Sequence, residues 1–207
     1  MIRPPGRDGA AFSEGDDGDI RHDPLARGRL SGALGISGDW AFVRQVHGGD
    51  VVRVDRPGDA GEADALWTAD ERLPVSVFTA DCFGVVLHAA EAVGVAHCGW
   101  RGTVAAVAQS LKDEMTRAGH EPVWGAIGPG IGPCCFEVGP EVSRSFDGYR
   151  SETTWGTRSV DLVAALRDQL GGVELWEIDR CTRHEEGWFS HRRDEDPRRL
   201  ATIGWVP

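Results

Sequence analysis

The stretch TADCFGVVLHAAEAVGVAHCGWRGTVAAVAQSLKDEMTRAG, residues 79–119, decides the fold. Two short β-type runs, GVVLHAA (84–90) and VGVAH (93–97), follow each other closely, and the apolar period then changes. From Gly102 to Ala118 the side chains Val104, Val107, Ala108, Leu111 and Met115 fall along one helical face, and Gly119 closes the helix. Upstream, AFVRQV (41–46), VVRV (51–54), ADALWT (63–68) and VSVF (75–78) are further strand-like runs divided by Gly, Asp or Pro. Asp23-Pro24 starts a helix over Pro24–Leu34, with Gly35 as its stop. Downstream come a WGAIG strand (124–128), a glycine-proline turn, a short helix at 140–146, a helix at 160–170 and a VELWEI strand (173–178).

Neighbouring strands early and αβ alternation later predict an α+β fold, with mixed β-sheets packed together and flanked by helices in a single domain. Residues 1–23, rich in Gly, Pro and Asp, read as a partly mobile lead-in, and 24–207 as the catalytic domain. No G-x-G-x-x-G opens a helix after a strand. The nearest cluster, Gly128–Pro133, holds two prolines and runs into Cys134-Cys135, which argues against a dinucleotide loop.

Composition narrows the function. The 207 residues carry 22 Lys+Arg against 33 Asp+Glu, a net charge of −11. Such a surface argues against broad binding to nucleic acid or an anionic membrane, and no apolar run reaches the roughly 20 residues of a span. Five cysteines, an odd number, point to a reducing cytoplasm where thiols are buried, metal-bound or reactive. Lys112 is the only lysine, so no phosphate-loop or Schiff-base lysine is on offer. The expected state is a monomer or small homo-oligomer.

Three residues stand at the ends of β-type runs: His47 in QVHGGD, Cys82 in TADC and His97 in VAHCGWRG. Their separations, 82 − 47 = 35 and 97 − 82 = 15, match no zinc finger, so only the fold can bring them together. Two imidazoles and a thiolate suit zinc, and three protein ligands leave a fourth position open, as in catalytic sites. Spacing alone equally allows a buried Cys82 with two histidines capping strand ends.

The strings QVHGGDVV, ADALWT, TADCFGVVLH, VGVAHCGWRGTVAAV, AIGPGIGPCCFEVGPEV and FSHRRDEDPRRLATIG, in this order, resemble the laccase-domain family. It is also called the polyphenol oxidoreductase or peptidoglycan editing factor family, and the similarity runs from about Trp40 to Trp205. The resemblance implies a zinc-dependent purine nucleoside phosphorylase with adenosine deaminase side activity, taking a purine nucleoside and phosphate. It also implies that His47, Cys82 and His97 hold the metal.

Other candidates follow from chemistry and from these motifs. Arg101, four residues after His97, offers a fork of donors to an anion, although it equally reads as an exposed arginine in an Arg-rich chain. Asp81 can orient a water or exchange protons, unless strand alternation points it away. The resemblance places Cys134, Cys135 and Phe136 at the border of the nucleoside pocket; adjacent cysteines rarely chelate one metal together, and packing is their other reading. The run after Phe189 reads as a solvated charged face, while the similarity of FSHRRD makes Arg192 or Arg193 a substrate contact. His191 stands where the family more often has an aromatic residue. At the front, Phe12-Ser13-Glu14 runs almost directly into Gly15-Asp16-Asp17, without the longer F-[ST]-x-R-x-G-G-V-S and S-L-N-L-G segments usual in the family. His88 and Cys98 read as core residues.

Three further functions compete: a cysteine hydrolase or deamidase with Cys82 as nucleophile and His97 as base, a copper phenol oxidase, and a zinc-stabilised binding domain. Seven histidines without an H-x-H pair are poor provision for several copper ions.

Overall fold

The computed structural model describes residues 1–207. In chain order the elements are β1 (Ala10–Phe12), α1 (Pro24–Leu34), β2 (Ala41–Arg44), β3 (Val51–Arg53), β4 (Gly58–Glu62), β5 (Ala65–Thr68), β6 (Val75–Thr79), β7 (Phe83–His88) and β8 (Val93–Cys98). After these come α2 (Trp100–Val104), α3 (Val107–Arg117), β9 (Trp124–Ile127), α4 (Pro140–Arg144), β10 (Arg150–Glu152), β11 (Arg158–Val160), α5 (Leu162–Gln169), β12 (Glu174–Glu177), α6 (His191–Asp194) and β13 (Leu200–Gly204).

Two mixed sheets pack face to face. One has the order β1-β13-β6-β2-β4 and the other β12-β9-β7-β8-β5-β3, while β10 and β11 form a small separate ribbon. Strand alternation decides which side chains meet which layer. Val75 and Val77 of β6 join Val86 of β7 and Val93 and Val95 of β8 in the cluster between the sheets. Phe78, Ala201 and Ile203 point the other way, beneath Ala26 and Leu30 of α1. On the far face, Val85 and Leu87 meet Val107, Leu111 and Met115 of α3 and Leu166 of α5. The mixed-sheet α+β expectation holds as a single domain, with helices covering the outer faces.

Helix α1 starts and stops where its sequence predicts. Asp23 caps it by accepting from the Leu25 N–H at 2.8 Å, and Gly35 leaves it in a left-handed conformation. His88 is a core residue: it stacks on Trp124 at 4.3 Å, and its Nε2 lies 2.9 Å from the Gly9 carbonyl. Burial lowers its pKa to about 4, so it is neutral. Cys98 is fully buried.

The helix expected from Gly102 to Ala118 is instead two, beginning at Trp100 and broken before Val107. Ala106 takes the left-handed conformation, φ +56°. The physical reason is a close approach from the loop after β2: a Cβ on Gly49 would lie 2.8 Å from the Ala105 carbonyl oxygen. The break turns Val104 out of the predicted face and leaves it half exposed, while Val107, Ala108, Leu111 and Met115 are fully buried. The lead-in reading of residues 1–23 also needs correction in part. Ala10–Phe12 pair antiparallel with β13, and the Ser13 hydroxyl accepts from the Ala201 N–H at 2.7 Å, so this segment is built into a sheet. Its few small apolar residues carry too short an alternation to announce a strand. Strand β4, GDAGE, was likewise unpatterned because it is an exposed edge held by backbone pairing to β2.

Candidate active site

The ends of the central strands converge on one cleft. His47 follows β2 of the first sheet, Cys82 lies between β6 and β7 where the chain crosses between sheets, and His97 is in β8 of the second. Their donor atoms all lie within 4.8 Å of one another, and the imidazole rings meet edge to face with centroids 4.8 Å apart.

A residue that the sequence reading left without a role holds this group together. Asp64, fully buried, accepts from His97 Nδ1 at 2.8 Å, from the His47 N–H at 3.0 Å and from the Gly48 N–H at 2.6 Å. Burial opposes its ionisation, but these bonds outweigh burial and keep its pKa below the ordinary carboxylate value. The bond to Nδ1 fixes that nitrogen as the donor and leaves Nε2 of His97 free to ligate. The three backbone contacts, counting Val46, hold His47 in a left-handed conformation, φ +62°. Such a conformation in a non-glycine residue persists only where the surroundings over-determine it. The only sequence signal for Asp64 was a lone carboxylate opening the apolar run ADALWT.

The donor set fits a metal ion. Two imidazoles and one thiol converge, a carboxylate orients one imidazole from behind, and Gly99 leaves the needed room: a Cβ there would lie 2.8 Å from Cys82 Sγ. Without metal, the same residues form an ion pair. Burial opposes a thiolate at Cys82, but His97 and His47 outweigh it and pull the pKa down to about 6. Burial likewise opposes charge on His97, yet Cys82 and Asp64 raise its pKa to about 9.

The cleft, about 350 Å³, is basic although the chain carries net charge −11. Arg21, Arg101, Arg192 and Arg199 line it, against the single carboxylate of Asp81. These guanidiniums stack on rings or donate to backbone carbonyls: Arg101 lies over Trp100 at 4.3 Å, Arg192 over Phe136 at 5.4 Å, and Arg199 donates to the Asp196 carbonyl at 2.7 Å. Their charge is therefore free for a ligand. Asp81, in the left-handed region at φ +88°, accepts from the Thr182 hydroxyl at 2.7 Å and from the Arg192 N–H at 2.6 Å.

Of the residues singled out by sequence, the cleft gathers His47, Cys82, His97, Asp81, Arg101, Phe136, His191 and Arg192. Cys134, Cys135 and Arg193 stand outside it. Arg193 instead donates to the carbonyls of Thr182, Glu185 and Trp188 and so ties down the loop before α6. Arg21, Gln45, Trp100 and Arg199 line the wall without having been read from the sequence. In an Arg-rich chain nothing local distinguishes Arg21 or Arg199 from solvated neighbours.

A model of the multi-copper polyphenol oxidoreductase laccase family matches residues 12–206. The chain belongs to this laccase family. Among its relatives, a purine nucleoside phosphorylase of Deinococcus radiodurans is 38% identical, over 86% of this chain and 75% of that protein. Purine nucleoside phosphorylase YfiH of Escherichia coli is 33% identical, over 87% of this chain and 79% of its own length. The crystal structure of YlmD from Geobacillus stearothermophilus superposes with a TM-score of 0.83 at 29% identity, covering 100% of this chain and 99% of that one. Within the laccase family this chain thus resembles proteins named for phosphorolysis. No helix is long and apolar enough to cross a membrane.

Proposed function

We propose that the chain is a zinc-dependent purine nucleoside phosphorylase acting on adenosine, inosine, guanosine or methylthioadenosine, with adenosine deamination as a side activity. The observation that carries this reading is a three-donor set opening on a cleft lined by four arginines without carboxylate partners. Phosphorolysis needs both halves: cationic donors for phosphate, and a means of easing the departure of the purine.

Zinc, when held by His47, Cys82 and His97, supplies a Lewis acid that polarises a substrate atom or activates water. The chain's own residues do the rest. Arg101, Arg199 and Arg21 present charge-assisted donors to phosphate. Trp100 and Phe136 offer aromatic faces to the base. Asp81, anchored through both oxygens, keeps Arg192 at the wall and is the carboxylate available to exchange a proton with the leaving purine. The reaction belongs in a cytoplasmic setting, where Cys82 stays reduced.

Purified, zinc-loaded protein should release base from purine nucleosides only when phosphate is present, and Cys82→Ala should abolish both zinc retention and base release. Absence of base release, with Cys82→Ala indistinguishable from the parent, overturns the assignment.

A second reading rests on the lowered pKa of Cys82 beside His97, the pairing of a cysteine hydrolase or deamidase. It predicts hydrolytic turnover by metal-free protein, abolished by iodoacetamide at Cys82. A multi-copper oxidase is less well supported, because His22, His88, His120 and His184 all lie outside the cleft.

A further inference from the structure

Three of the five cysteines form a second cluster outside the cleft. Cys134 and Cys135 follow the glycine-proline loop after β9, and Cys181, 181 − 135 = 46 residues on, lies in the segment after β12. The two segments are joined by a bridge between Gly130 and Cys181 and by the Thr182 N–H donating to the Gly130 carbonyl at 3.0 Å. The three Sγ atoms lie within 4.8 Å of one another, and those of Cys134 and Cys135 are 3.6 Å apart.

Two donors stand near these sulfurs. The Gly132 N–H donates to Cys181 Sγ at 3.3 Å. Arg183 stacks on Trp155 at 4.7 Å and lines the same hollow as Cys135, and its buried Nε has no acceptor. A buried donor without an acceptor costs about 1–3 kcal/mol. Ionised sulfur beside it would remove that cost. Phe136 faces the cleft while Cys135 faces this hollow, so one short segment serves two separate sites.

We propose that Cys134, Cys135 and Cys181 form a second metal site, taking a soft divalent cation of the zinc or cadmium class and distinct from the donor set at the cleft; adjacent cysteines rarely share an ion, but here their Sγ atoms already face one another at 3.6 Å. Thiolates sharing one tetrahedral ion stand about 3.8 Å apart, since each lies about 2.3 Å from it. The cluster needs only small side-chain rotations to reach that spacing. Binding exchanges three thiol protons for the cation: M²⁺ plus three R–SH gives [M(SR)₃]⁻ plus three protons released to solvent. The single residual negative charge faces the guanidinium of Arg183.

The test is cadmium titration of the reduced, metal-stripped full chain, with metal counted per chain and thiolate-to-metal charge transfer followed in the ultraviolet. The parent should take two ions. Cys181→Ser should take one and lose most of the charge-transfer band, whereas Cys82→Ser should take one and keep most of it. In the parent, cadmium should also protect Cys134, Cys135 and Cys181 from alkylation, mapped by mass spectrometry, a readout that needs no variant to fold. A parent that binds one ion, with Cys181→Ser unchanged, overturns the proposal. So does finding these thiols alkylated in the presence of cadmium, or paired in a disulfide before metal is added. If the cleft takes no ion, the parent binds one and Cys181→Ser none, so failure of the phosphorylase reading is told apart by the loss on Cys181→Ser, and neither readout depends on turnover.

Discussion

At the level of single residues, Asp64 controls more of the site than any ligand does. Its carboxylate fixes His97 and the backbone of His47 together. Asp64→Asn should therefore weaken metal binding about 10- to 100-fold, measured by competition with a chromophoric chelator, while the folded spectrum is retained. Unchanged affinity would mean that the imidazoles are held some other way. The metal-free ion pair sets a pH dependence with a definite sign. His97 keeps its proton up to about pH 9, and Cys82 is already ionised above about pH 6. Metal must displace the His97 proton, so between pH 6 and 9 the pair contributes one released proton and affinity falls about tenfold per unit as pH drops. Below pH 6 the Cys82 proton adds to it. Calorimetry in buffers of different ionisation enthalpy checks this; zero release from the pair at pH 7.5 contradicts it. The three candidate donors were legible in sequence through their place at the ends of strand-like runs and through the family resemblance, since spacing alone equally allowed a buried Cys82 with two capping histidines. Asp64 was not, since its role lies in backbone contacts 16 to 18 residues away, which no local pattern encodes.

At the level of elements, the break between α2 and α3 separates two tasks. The short α2 carries Trp100 and Arg101 to the cleft, and α3 buries its apolar face on the second sheet. Leu111→Ala, at a fully buried position, should cost about 2–5 kcal/mol in chemical denaturation without altering metal stoichiometry. Ala106→Val should cost about 1–2 kcal/mol, because a β-branched side chain tolerates φ +56° poorly; in an unbroken helix the same change costs less than 1 kcal/mol. A loss below that mark would argue for a continuous helix. The sequence period announces α3 correctly but runs on through Val104, since propensity and spacing see only the chain's own turns. The break is imposed from outside, by Gly49 seated against Ala105. The same limit hid the pairing of Cys134 and Cys135 with Cys181, which becomes visible only when two distant loops are placed side by side.

For the whole molecule, the net charge of −11 and the basic cleft are two parts of one arrangement. Acidic groups occupy the outer surface, often in local pairs such as Arg44–Asp59 and Arg117–Glu114, while the cleft arginines are left without such partners. Arg199→Ala should raise the phosphate KM about 10- to 100-fold, the loss of a charge-assisted hydrogen bond, and leave the nucleoside KM nearly unchanged. Arg117→Ala, on the solvent face of α3, should change neither. Equal effects of both substitutions would place phosphate elsewhere. The layered α+β architecture was readable from the alternation of short runs and helices, whereas the basic character of the cleft was not, because its arginines come from three widely separated stretches, around Arg21, at Arg101 and at Arg192 with Arg199. That dispersal has a consequence for assembly of the native state. The candidate donors arrive from both sheets of the sandwich, so neither sheet alone brings them together. An ion added during refolding should bind only after the two sheets have docked, which makes metal capture a clock for the last step of folding and makes the loaded protein slow to come apart along the sandwich interface.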